Sequence, residues 1–109
     1  MLGEMSRYAE IVTWFRASIL SGPARLAPEV RRAAFDGRGE VPPEATAYLD
    51  KVRRHAYKVT DADVTALRTA GWDDERIYEI TVAAAAGQGL RRLDLGLAAL
   101  AAAQAKAPR

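Results

Sequence analysis

The chain has 109 residues, of which 50% are hydrophobic and 28% charged; its net charge is +2 and it contains no cysteine. This length and balance are typical of one globular domain and argue against a disordered chain. Without cysteine the chain has no disulfide framework, no thiolate metal ligand and no thiol nucleophile. The small positive charge falls well short of the concentrated basic surfaces of nucleic-acid-binding domains.

The first part of the sequence predicts two helices and a loop. Apolar residues spaced by three and four predict a helix over residues 4–20, which Ser21-Gly22-Pro23 ends. These apolar residues are Tyr8, Ile11, Val12, Phe15 and Ile19. A short second helix is predicted over residues 27–35, with Pro28 in its first turn, and residues 37–43 form a loop.

A third helix is predicted from Pro43 or Glu44 to about Tyr57. One stripe of this helix is apolar apart from a single histidine. The stripe consists of Tyr48, Val52, His55 and Val59. It predicts that the histidine, the only one in the chain, lies at the edge of the core.

Two further helices follow, each with a clear start. Thr60 and Asp63 have the spacing of an N-cap and its acidic third residue, and Gly71 then ends the fourth helix. Asp73 caps a fifth helix that is predicted to extend to about residue 103, with fraying expected from about residue 101. The apolar residues of this helix alternate steps of three and four, as in a heptad seam. The seam consists of Ala83, Ala86, Leu90, Leu93, Leu97 and Leu100.

Three glycines interrupt the fifth helix, at Gly87, Gly89 and Gly96. Each lowers the helix propensity by about 1 kcal/mol relative to alanine. They predict either a kink or a frayed stretch, or the close approach of a neighbouring backbone. The sequence leaves both interpretations open.

The stretch from Val59 to Leu97, about a third of the chain, resembles the alkylhydroperoxidase AhpD and carboxymuconolactone decarboxylase family. The resemblance rests on a capped short helix, a glycine and a second capped helix that is rich in alanine. The matching residues are Thr60, Asp61, Asp63, Val64, Leu67, Ala70, Gly71, Trp72, Asp74, Glu75 and Ile77. The resemblance implies an all-helical fold that assembles into dimers, trimers or hexamers.

The sequence departs from the peroxidase branch of this family, whose reaction is carried by a Cys-x-x-Cys motif. In that reaction a thiolate attacks the peroxide and a second thiol resolves the sulfenic acid, and this chain supplies neither. The decarboxylase branch does not need the motif, so the resemblance leaves that activity open. The matched stretch is helical scaffold, and no catalytic residue of either branch can be transferred by position.

Two side chains are candidates for catalysis in a decarboxylase-type enzyme. His55 could act as a general acid or base near neutral pH, but a partly buried histidine bonded to a carbonyl or carboxylate explains it as well. Glu79 lies one turn before Ala83 in the apolar seam, where a carboxylate needs a partner, and His55 is one such partner. One histidine among scattered carboxylates gives no metal-ligand spacing, and no motif indicates a cofactor.

Three basic pairs, Arg31-Arg32, Arg53-Arg54 and Arg91-Arg92, raise the alternative of a small DNA-binding regulator. Each pair divides around its helix, however. A recognition helix that begins Asp73-Asp74-Glu75 would also bring negative charge to DNA. Nucleic acid is therefore an unfavoured partner.

These features predict one all-α domain over residues 1–109, an AhpD-like bundle of about five helices. Small alanine side chains bury little area each, which favours a homo-oligomer that completes the core. We expect a binding or assembly module without peroxidase activity, which could also have a protein partner. A decarboxylase-type enzyme and a DNA-binding regulator are the alternatives. The charged N-terminus is unlike a signal peptide and no apolar run would span a bilayer, so we expect a cytoplasmic location.

Overall fold

The computed structural model describes the backbone of residues 2–22 and 24–106, and the side chains of these residues except 2–6 and 8. Tyr8, which belongs to the predicted apolar face of the first helix, lies outside the described side chains. The described ranges contain five α-helices and one 3-10 turn, and no strand occurs in them. The elements are α1 (Leu2–Ser21), α2 (Pro28–Asp36), α3 (Pro43–Arg54), a 3-10 turn (Ala56–Lys58), α4 (Asp61–Thr69) and α5 (Asp74–Lys106). The all-α prediction is thereby confirmed. None of the described helices is long and apolar enough to cross a membrane.

Two helix ends differ from the prediction. α3 ends at Arg54, and the backbone of His55 leaves the helical region with φ −144° and ψ 58°. Near this end, the Arg53 carbonyl oxygen accepts a hydrogen bond from the Arg92 guanidinium of α5. This contact joins distant parts of the chain, so the local sequence around α3 does not predict it. At the other end of the chain, α5 continues to Lys106 instead of fraying from about residue 101, because alanine has the highest helix propensity.

The core lies where the first half of α5 packs against α2, α3 and α4. The largest fully buried side chains are Leu49 of α3, Leu67 of α4 and Ile80 of α5. The other buried members of this cluster are Leu26, Ala34, Phe35, Ala45, Tyr48, Val52, Trp72, Ile77, Ala83 and Ala84. The inner face of α5 is therefore covered by the rest of the chain only in its first half.

α4 begins as the sequence predicts. The Asp63 carboxylate accepts hydrogen bonds from the backbone N–H and the hydroxyl of Thr60, at 2.9 and 3.1 Å. It also pairs with the Lys51 ammonium at 2.9 Å, which ties α4 to α3. The hydrogen bond from Lys51, followed by that from the Thr60 backbone, holds the pKa of Asp63 below its usual value.

α5 also has the predicted start, and Asp73 is its cap. The Asp73 carboxylate accepts a hydrogen bond from the backbone N–H of Arg76 at 2.8 Å, which satisfies one of the free donors of the first turn. The helix then passes all three of its glycines without a break. A Cβ on Gly87 would lie 1.8 Å from the Phe35 carbonyl oxygen, whereas Gly89 and Gly96 have nothing within 4 Å. Close approach of the α2 backbone therefore explains why residue 87 is a glycine, but it does not explain Gly89 or Gly96.

Candidate functional site

His55 does not lie on a buried stripe. It follows the last residue of α3, it is exposed, and its ring meets the Tyr57 ring edge-on with the centroids 5.8 Å apart. The expectation of a histidine at the edge of the core is wrong. The reason is that α3 ends before the turn that would carry His55 onto the inner face.

Glu79 holds the segment that precedes α2. Its two carboxylate oxygens accept hydrogen bonds from the backbone N–H groups of Arg25 and Leu26, at 3.0 and 2.7 Å. These donors lie outside any helix and have to find an acceptor elsewhere when they are buried. The carboxylate in the apolar seam is thus partnered by backbone and has a structural role.

The structure of one chain does not bring the two candidate catalytic residues together. Among the described side chains, His55 contacts Tyr57 while Glu79 binds the backbone at residues 25 and 26. A pair made of these two side chains would have to form between copies of the chain, and their catalytic assignment stays a prediction. Within residues 2–22 and 24–106, no group of three or more His, Asp or Glu could hold a metal ion.

A polar pair that the sequence does not predict lies in a cleft of about 330 Å³ between α3, α4 and α5. The hydroxyl oxygens of Tyr48 and Thr81 are 2.6 Å apart, and Thr81 donates to the Ile77 carbonyl oxygen at 2.6 Å. Since a threonine hydroxyl has one proton, Tyr48 must be the donor to Thr81, and its oxygen remains an acceptor. No spacing in the sequence links these residues, which α3 and α5 supply from opposite sides.

The two charged groups that line this cleft are paired with each other, and Glu44 at the start of α3 is also hydrogen-bonded. Arg68 donates to Asp74 at 2.7 Å; this hydrogen bond is the main cause that raises the pKa of Arg68 and lowers the pKa of Asp74. The Trp72 indole donates to Glu44 at 3.0 Å. Two hydrogen bonds lower the pKa of Glu44: the larger effect comes from its own backbone N–H and the smaller one from Trp72. Such groups are fixed in their charged forms, which suits a structural role rather than proton transfer.

The most exposed apolar surface lies elsewhere, on a part of the molecule that we call the arm, formed by residues 7–21 of α1 and 88–106 of α5. Near the core, Ile19 of α1 borders the same cleft as residues 78–82 of α5. One turn earlier in α1, Arg16 borders a cleft with Leu90 and Asp94. α1 therefore borders α5 near the core, at residues 16–19.

The arm makes the molecule long and leaves apolar side chains uncovered. The dimensions are 60 × 29 × 22 Å and the radius of gyration is 16.8 Å. A compact domain of this length would have a radius of gyration of about 13 Å. The large exposed apolar residues of the arm are Ile11, Trp14, Phe15, Leu93, Leu95 and Leu100. The predicted seam of α5 is thus covered within the chain at Ala83 and open at Leu93.

The basic pairs contribute mainly to contacts within the chain. Arg53 and Arg91 donate to carbonyl oxygens at the end of α2, at 3.1 and 2.6 Å. Arg54 pairs with Asp50 at 3.2 Å.

Comparison of the chain with protein-family models, with curated proteins and with solved structures finds no match in any of the three.

Proposed function

We propose that this chain is a cysteine-less AhpD-like helical domain that works as a non-catalytic assembly module and associates with a second copy through the arm. The uncovered apolar surface of the arm is the observation that carries the proposal. The decarboxylase alternative gains no support from the geometry, because His55 is exposed and Glu79 is bonded to the backbone.

The α5 end of the arm has the composition of a buried helix. Between Asp94 and Lys106 the sequence has no charged residue, and Gln104 is its only polar side chain. All but one of the residues in this stretch are exposed in the single chain, and Leu97 is half-buried. A surface helix normally carries polar residues on its outer face, whereas a helix that is apolar all round is buried. The stretch therefore needs a cover that one copy of the chain does not provide.

The exposed area is large enough for an interface. Five of the exposed arm residues, all except Leu95, have between 38% and 69% of their surface accessible. They expose roughly 500 Å² in total if each free side chain presents about 200 Å². Brought together in one interface, these side chains would fall in the upper part of the range of roughly 300–600 Å² for the largest patch on a monomer. Their total is also more than half of the ~800 Å² that each partner contributes to a standard interface.

The spacing on α5 suits helix pairing. Leu93, Leu97 and Leu100 continue the steps of four and three that place one row of side chains along a coiled-coil seam. Each copy offers two helices, so two arms together have the number of helices in a four-helix bundle. Each copy would then cover the apolar residues of the other.

The stretch that resembles the AhpD family has scaffold roles that support this proposal. Thr60 and Asp63 start α4, Gly71 follows that helix with a φ of 101°, and Trp72 packs into the core. These residues orient α5, and α5 carries half of the arm. The resemblance thus concerns the helices that position the arm. This chain has no cysteine, so it lacks the residues of the family's thiol chemistry.

Sedimentation velocity at micromolar concentrations tests the proposal with a matched pair of variants. Leu100→Lys places a charge on the seam, and we expect the native dimer to become a monomer with unchanged helix content. Leu95→Lys is the control, because Leu95 is equally part of the exposed helix but lies about 140° around it from Leu100. A native chain that sediments as a monomer would contradict the proposal, as would equal effects of the two substitutions.

Tryptophan fluorescence gives a second readout. Trp14 on the arm is 69% exposed in one chain, whereas Trp72 is 9% exposed. Assembly through the arm should protect Trp14 from iodide quenching as the protein concentration rises. The Trp14→Phe variant identifies the signal, because only the buried Trp72 remains in it.

A further inference from the structure

A second cleft, away from the apolar surface of the arm, lies between the end of α2 and the start of α3. Its volume is about 260 Å³, and its polar lining consists of Arg38, Glu40, Thr46 and Arg53. Gly37 and Gly39 have φ values of 73° and 102°, so the backbone turns on both sides of Arg38. The loop therefore forms one wall of the cleft and α3 forms the other.

The arginines at this place lack acidic partners. Arg53 donates through Nη2 to the Ala34 carbonyl oxygen, and its Nε is buried without a hydrogen-bond partner. Neither Arg53 nor Arg91 forms an ion pair with a described carboxylate. Burial, and then the charge of Arg91, lower the pKa of Arg53. The charge of Asp50 opposes this lowering only as the smallest of the three causes, so Arg53 has no counter-charge in direct contact.

Two of the nearby carboxylates pair with other arginines, and Asp94 borders a neighbouring cleft together with Arg38 and Arg91. Asp36 lies 3.8 Å from Arg16, and Asp50 lies 3.2 Å from Arg54. Glu40 is the one carboxylate that lines the cleft. The lining therefore has an excess of positive charge, from Arg38 and Arg53 against Glu40.

We propose that this cleft binds the oxyanion group of a small molecule, a phosphate or a carboxylate, between the guanidinium groups of Arg38 and Arg53. A guanidinium presents several N–H donors in a plane and matches both kinds of oxyanion. Thr46 adds a hydroxyl donor from the first turn of α3, where the helix dipole also favours negative charge. The cleft is smaller than the ~300 Å³ at which sites for drug-sized ligands begin, so it suits a head group or a small ion.

The contacts to α2 do not by themselves account for the arginines. Carbonyl oxygens at the end of a helix carry partial negative charge, and Arg53 and Arg91 cap them. Arg53 uses one terminal nitrogen for this contact. Its guanidinium group is half-buried without an ion pair, and burial of an unpaired charge lowers the stability of the fold. A bound oxyanion supplies the missing counter-charge. The inference does not rest on the assembly proposal, since the arm surface and this cleft have no lining residue in common.

Calorimetric titration of the full chain with inorganic phosphate, with sodium chloride at matched ionic strength as the reference, tests the site. We expect saturable phosphate binding, and we expect Arg38→Gln to weaken it about threefold, as is reasonable for one partly exposed charge. Glu40→Gln should tighten binding by a similar factor, because it removes the opposing charge. Arg32→Gln changes the net charge equally but lies on the exposed side of α2, and it should have no effect.

The inference requires that Arg38→Gln weakens phosphate binding and that Glu40→Gln tightens it. Arg32→Gln must leave phosphate binding unchanged. Among the described residues, the Arg38 side chain forms no ion pair and no hydrogen bond to the end of α2, so its variant should fold even where Arg53→Gln does not. Competition by acetate would assign the site to carboxylates, and its failure would assign the site to phosphates. Phosphate binding no stronger than in the chloride reference, or equal weakening by Arg32→Gln and Arg38→Gln, would overturn the inference.

Discussion

Replacement of Gly87 by alanine should destabilise the protein although alanine is the better helix former. The new Cβ would lie 1.8 Å from the Phe35 carbonyl oxygen and 2.6 Å from its carbonyl carbon. The end of α2 would have to move by about 1.5 Å or more to reach an ordinary contact distance of roughly 3.5 Å. That oxygen also accepts the hydrogen bond from Arg91, and the Phe35 side chain is buried in the core, so neither can yield freely.

The expected loss follows from two opposing contributions. Overpacking of this kind costs about 3 kcal/mol at the upper end of its usual range. The gain in helix propensity from glycine to alanine is about 1 kcal/mol. The free energy of unfolding should therefore fall by about 2 kcal/mol, which lowers the melting temperature by roughly 8 °C for a domain of this size.

Thermal denaturation followed by circular dichroism measures the effect at fixed protein concentration. Gly89→Ala is the matched control, because it lies in the same helix and a Cβ there has nothing within 4 Å. We expect this variant to raise the melting temperature by roughly 4 °C, from the same gain of about 1 kcal/mol in helix propensity. A Gly87→Ala protein that melts at or above the native temperature would refute the close approach of α5 to α2.

Three further outcomes are expected. Asp63 has a lowered pKa, so its contribution to stability is present above about pH 4, the unfolded-state value, and is lost as the pH falls through the folded-state value. Asp63→Asn should lower the melting temperature at neutral pH and remove that part of its acid dependence, and identical pH profiles would contradict this. Glu79→Ala should cost about 1–3 kcal/mol in urea denaturation, because the N–H groups of Arg25 and Leu26 lose their acceptors, and Glu79→Gln should cost less. The purified chain should reduce organic hydroperoxides no faster than an albumin control when a dithiol is the electron donor, because it has no cysteine.

Much of the fold could be predicted from the sequence because the signals are local. Thr60 and Asp63 predict the start of α4 from their spacing alone, and Asp73 predicts the start of α5 in the same way. Caps and apolar periodicity act within a few residues of the chain, so they survive whatever packs around them. The excess of apolar residues in the last helix can also be read from the sequence, because composition does not depend on the fold.

The surroundings of the candidate site residues depended on tertiary contacts instead. α3 ends at Arg54, and this places His55 in solvent although its spacing matches a buried stripe. Glu79 binds backbone groups more than fifty positions away in the chain. Gly87 differs from Gly89 only because the end of α2 crosses the helix at that point. Hydrogen bonds and close contacts between distant segments leave no periodic trace in the sequence, so only the packed structure decides which residues they join.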